Sequence, residues 1–100
     1  MNYQVQAASI FFKAADYIRS YGWQEEGMNE HGKPRCSMGA LDSAYPRISW
    51  NADLASLMYT ALYNELDGLS LTQYNHKYQS GEKVAQLYEK VAEKLSAGKV

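Results

Sequence analysis

A chain of 100 residues with 46% hydrophobic content suffices for one compact domain, covering 1–100, and is too short for two. Ten basic and eleven acidic residues are spread along it and give a formal charge of -1, so no Lys/Arg cluster invites a nucleic-acid duplex. Cys36 is the only cysteine, which excludes an intrachain disulfide. No apolar run approaches the ~20 residues that span a bilayer. Met1-Asn2-Tyr3-Gln4 is not a charged segment leading into an apolar one, and the expectation is a cytoplasmic protein without a membrane partner.

Residues 5 to 21 have the spacing of an amphipathic helix. Ala8, Phe11, Ala15 and Ile18 recur on one face, Ala7, Ala14 and Tyr21 widen it, and Ser9, Lys13, Asp16 and Ser20 lie opposite. Gly22 suits a stop that needs positive φ. From Gly22 to Lys33 the periodicity is lost, and Gly27, Gly32 and Asn29-Glu30-His31 suggest a loop or loose hairpin. Pro34 fits the first turn of a short second helix running to about Tyr45, ended by Pro46. Gly39-Ala40 within it is a small pair that lets another backbone approach.

The third helix is the clearest. Asn51 suits its N-cap and Asp53 its first turn, and Leu54, Leu57, Met58, Ala61, Leu62 and Leu66 form its stripe up to Asp67-Gly68. Leu69 to Asn75 alternates weakly and reads as a short extended connector or edge strand. Ser80 caps a fourth helix with Val84, Leu87, Tyr88, Val91 and Leu95 inward and Lys83, Gln86, Lys90, Glu93 and Lys94 toward water. The predicted fold is mainly α: a small single-domain bundle of three main helices plus one short helix, with an irregular insertion at about 22–35.

The residues with chemistry cluster in that insertion. Cys36 beside Arg35 at a helix start would have the environment of a reactive thiol, with His31 as a base, yet no third orienting residue is signalled and a lone cysteine commonly packs inside. His31, Cys36 and His76 do not have the close pairing of a zinc site, so no metal and no cofactor is expected. Glu25-Glu26 and Glu30 read as solvated. Gly32-Lys33-Pro34-Arg35 before a helix offers two cations to an anion but only one glycine. Trp23 suits either a ring that stacks a ligand or a plug for the open end of the bundle. Nine tyrosines against two phenylalanines point to sealed core rims or a tyrosine-rich contact surface.

Ala14-Ala15-Asp16-Tyr17-Ile18, Gly22-Trp23, Gly32, Cys36 and Gly39-Ala40-Leu41 form a pattern, echoed by Tyr74-Asn75, Glu82-Lys83-Val84 and Ala92. This pattern resembles a small domain family of unknown function in actinobacteria and their phages, over about Ala7 to Leu95. That family typically has a Trp-Asn-Asp triplet where this chain has Tyr74-Asn75-His76, and an Arg-Thr that this chain lacks. The resemblance implies a small accessory protein, phage- or prophage-borne, and no particular activity.

The expected function is therefore a non-catalytic binding protein that engages a host protein through its insertion and tyrosine-rich rim. The candidate ligand- or partner-binding residues are Trp23, His31, Lys33, Arg35, Cys36, Tyr74 and Asn75. The alternative is a binder of a nucleotide-like small ligand, with Trp23 stacking and Lys33 and Arg35 holding phosphate. A weaker alternative is a thiol-dependent enzyme built on Cys36. A homodimer is a further expectation, since small helical chains gain core by pairing.

Overall fold

A computed structural model of the chain describes residues 2–24 and 36–99. Among them lie five α-helices: α1 (Tyr3–Tyr21), α2 (Ser37–Ala44), α3 (Ala52–Glu65), α4 (Leu71–Tyr78) and α5 (Gly81–Ser96), with a 3-10 turn at Arg47–Ser49. No strand occurs among the described residues. The expected extended connector at Leu69 to Asn75 is a helix instead, so the bundle has three long and two short helices.

Each helix starts on a side chain that takes a free amide of the first turn. Asn2 Oδ1 accepts from the Gln4 N–H at 2.8 Å and Asn51 Oδ1 from Leu54 N–H at 2.8 Å, while Ser80 Oγ accepts from Lys83 N–H at 3.2 Å. For α4 the start is a capping box. Ser70 Oγ accepts from the Gln73 N–H while Gln73 Oε1 accepts from the Ser70 N–H, at 3.1 and 2.8 Å. That Ser-x-x-Gln signature outweighs the sparse apolar content of the segment, and Leu71 and Asn75, four apart, give it a buried edge. Gly22 ends α1 at φ 85°, with its N–H on the Ile18 carbonyl at 2.8 Å, as a left-handed stop requires. The second helix starts later than the Pro34 expected, at Ser37 with Cys36 as N-cap; Pro34 itself lies outside the described residues.

The core is built around α1, which lies along α5 and also packs on α2 and α3. Its inner face carries four alanines, Ala7, Ala8, Ala14 and Ala15, and α5 answers with Ala85 and Ala92, all buried. Small side chains let the two helix axes approach. Phe11 and Tyr88 fill the remaining space edge to face, ring centroids 5.4 Å apart at 63°. Leu54, Met58, Leu62 and Leu66 of the α3 segment, with Leu41 from α2, complete the interior. Gly39 and Ala40 are both buried, in keeping with the close approach expected of the pair. Tyr21, expected on the buried face, is half exposed, its ring 4.8 Å from that of Tyr17 one turn earlier. The radius of gyration, 12.6 Å, is close to the ~13 Å of a compact unit of this length.

Outside the core, Arg19 clamps α1 to α5. Its guanidinium reaches Glu89 at 2.6 Å and Glu82 at 2.9 Å, one helical face of α5. These hydrogen bonds hold both carboxyls below the usual carboxylate range. The clamp therefore contributes fully above the unfolded carboxylate pKa of about 4.3 and is lost as pH falls through the lower folded values. Arg19→Gln is expected to lower Tm near neutrality and to shrink the fall in Tm between neutrality and about pH 3. Thermal melts at both values check this; an undiminished acid fall in the variant assigns the effect to other carboxylates.

Candidate functional site

Past Gly22 the chain turns so that Trp23 lies over the start of α5. A Cβ on Gly81 would sit 2.7 Å from Trp23 Cβ, so the glycine is the seat of the tryptophan. The indole N–H donates to Ser37 Oγ at 3.0 Å, and the Ser37 hydroxyl donates to Asn75 Oδ1 at 2.6 Å. The Tyr88 phenol donates to the Ser37 carbonyl at 2.7 Å. Ser37 and Tyr88 are fully buried, and Asn75 nearly so. Buried polar groups persist only when bonded, and away from bulk solvent each bond polarises the next. Burial pushes the Tyr88 phenol well above its ordinary range, the neighbouring Cys36 adds to this, and the bond to Ser37 opposes both. Phenol ionisation is suppressed there, and the group acts as a neutral donor.

Of the residues singled out in the sequence, Trp23 and Asn75 thus meet at Ser37. Trp23 packs on Gly81 and gives its N–H to the Ser37 hydroxyl. Cys36 adjoins them and is half-buried; its Sγ accepts from the Gly39 N–H at 3.2 Å and so caps α2. Tyr74 points elsewhere. Its hydroxyl donates to the Lys83 carbonyl at 3.3 Å and its ring lies 4.5 Å from that of Tyr78. Burial, and then the neighbouring Tyr78, pushes the Tyr74 phenol up. His31, Lys33 and Arg35 lie outside the described residues.

Three features lie outside the sequence expectations. Ser37 is not among the expected site residues and Tyr88 is expected only as a stripe residue; their meeting across 51 positions makes the network. Gly81 follows a good N-cap and reads as a weak helix former until Trp23 is placed against it. The third is a row of rings on the outer side of α3. Trp50, whose N–H donates to the Tyr45 carbonyl at 2.9 Å, lies 5.9 Å from Tyr59, which lies 6.1 Å from Tyr63 in stacked orientation. Tyr59 and Tyr63 then line a groove of about 440 Å³ with Met38, Leu71, Ser70 and Thr72. The four-residue spacing of Tyr59 and Tyr63 was the available sequence signal. A second open cleft, about 410 Å³, lies between α1 and the end of α2 and includes Val5, Ile10, Ala44 and Tyr45. Among the described residues no group of three His, Cys, Asp or Glu side chains could hold a metal, and no helix is long and apolar enough to cross a membrane.

Two substitutions test the junction. In an exposed helix, glycine to alanine stabilises by about 0.5–1 kcal/mol. Gly81→Ala should instead destabilise by about 1–3 kcal/mol, because the added methyl meets the rigid Cβ of Trp23. Ser37→Ala removes the partner of both the indole N–H and Asn75 Oδ1 and should cost about 1–3 kcal/mol. Urea unfolding measures both; a stabilised Gly81→Ala protein would show that Trp23 does not sit there.

The sequence of residues 2–94 matches a family model described as a family of unknown function, DUF6197. The comparison with curated proteins returned no match, nor did the comparison with solved structures.

Proposed function

Because the chain belongs to the DUF6197 family, of unknown function, we propose its role from its own surface: a non-catalytic binding protein whose tyrosine-rich rim docks a protein partner. The observation that carries this reading is the ring row on α3. Trp50, Tyr59 and Tyr63 stand beside an uncharged groove with Met38 and Leu71 at its wall, and Tyr63 is 51% exposed. Tryptophan, tyrosine and methionine are the side chains enriched where proteins meet, because they bury much area for few rotatable bonds. None of the described residues lining this groove is charged, which keeps their desolvation cost on docking low.

The specific form of the proposal is a phage-borne accessory protein acting on a host protein in the bacterial cytoplasm. The other readings draw less support from the geometry. Trp23 already gives its N–H to Ser37, and the Cys36 sulfur already caps α2.

The test starts from a partner captured by the full chain, identified, and bound again in purified form. Tyr59→Ser with Tyr63→Ser is expected to weaken that binding by about 30-fold or more, while Cys36→Ser leaves it unchanged. Both side chains are at the surface or its edge, so Tm should move by only a few degrees. Undiminished affinity in the double variant overturns the reading. Sedimentation of the wild type as a dimer that the same variant dissolves would assign the rim to a second copy instead.

A further inference from the structure

The polar face of α5 is divided by charge. Glu82 and Glu89, seven apart and therefore on one helical face, turn toward α1 and are held by Arg19. Lys83 and Lys90, also seven apart, turn the other way and line a groove of about 270 Å³ with Tyr74, Tyr78, Gln86, Leu87 and Glu65. Lys77 of α4 is not in that lining but reaches the ring of Tyr78, which is. The ammonium groups of Lys77 and Lys83 lie 5.2 and 5.9 Å from the centre of the Tyr78 ring. No carboxylate of the described residues is within ion-pair distance of either.

Among the described residues Glu65 is the one carboxylate in the groove, and its side chain is only 6% exposed. Burial pushes its carboxyl up, but Lys94 and Lys90 together outweigh burial and hold it below the usual range. Lys94 makes the close contact; Lys90, at 3.3 Å, makes the looser one. Lys90 can therefore turn to an incoming anion while Glu65 keeps a partner. The groove thus has surplus positive charge in a chain whose overall charge is -1. Its wall is aromatic: Tyr78 is 40% exposed, and Tyr74 beside it is held by the Lys83 carbonyl.

We infer that this groove between α4 and α5 binds a small aromatic phosphate of mononucleotide size. The planar ring stacks on Tyr78 in place of the lysine ammonium groups, which move to the phosphate with Lys90. A ring alone would leave those ammonium groups without an anion, and inorganic phosphate alone would leave the tyrosine wall uncovered. Lysine holds phosphate as a mobile point charge, which suits a group reached by swinging side chains. Ligand pockets usually measure about 300–1,000 Å³, so this open groove, at about 270 Å³, is just below that range and suits a ligand of mononucleotide size at most in its enclosed part. The inference is separate from the rim on α3 and does not depend on it.

Adenosine monophosphate is the probe, followed by amide chemical shifts of the full chain. Saturable shifts are expected around Tyr74, Tyr78 and residues 83–90, weakening as salt rises. Lys83→Gln with Lys90→Gln should weaken binding about tenfold, and so should Tyr78→Leu, all at exposed positions that leave the fold intact. Adenosine and inorganic phosphate, each alone, should bind about tenfold more weakly than the monophosphate. The inference is overturned by the absence of saturable shifts up to about 10 mM, or by affinity that the double glutamine variant does not change. Adenosine binding as tightly as its monophosphate, or phosphate doing so, also overturns it. The Tyr59→Ser, Tyr63→Ser protein should bind the probe like the wild type, which keeps this test apart from that of the rim.

Discussion

The Ser37 hydroxyl accepts from the Trp23 indole and donates to Asn75, and the Ser37 carbonyl takes the Tyr88 phenol. One buried residue thereby joins the chain leaving α1, the start of α2, α4 and α5. The short helices α2 and α4 are each eight residues long and would be marginal alone. What holds them is attachment to the long pair; the buried polar part of that attachment passes through Ser37, and Tyr74 adds a bond from α4 to the Lys83 carbonyl at the surface. The bond to Trp23 also joins the exit of α1 to the start of α2, 14 positions apart.

This arrangement explains why the residues that look most reactive in the sequence have architectural work. Tryptophan following a helix-ending glycine is placed where its ring covers the start of α5, and that start must be glycine for the ring to fit. Cysteine at the head of α2 presents its sulfur to the Gly39 amide, as a serine or asparagine would with oxygen. Inside, polarity holds helices together; the groups with spare capacity for partners lie outside, on the far side of α3 and in the cleft beside α5.

α5 ties these surfaces to the core. One stripe of it, from Val84 to Leu95, is buried against α1 and α3. Its remaining circumference is split between acids that answer Arg19 and lysines that face α4. The first set contributes to holding the fold; of the lysines, Lys90 and Lys94 share the buried Glu65 while Lys83 faces no carboxylate of the described residues, so the cleft is positive while the molecule is nearly neutral. The rim on α3 has the opposite character, an uncharged row of rings.

The helical class, the start of α3 at Asn51 and of α5 at Ser80, the stop at Gly22 and most of the core stripes were legible in the sequence. Each depends on neighbours within one or two turns, and local periodicity and capping chemistry report such neighbours directly. The helix α4 was legible too, in its Ser-x-x-Gln box, but its few apolar residues hid it. Trp23, Cys36, Tyr74 and Asn75 could be recognised as unusual, yet their division was not readable. Asn75 and Tyr74 are adjacent, and one joins Ser37 while the other joins Lys83 and Tyr78. Which side chain meets which across 14, 38 or 51 positions depends on how five helices pack, and residue spacing alone contains no record of that packing.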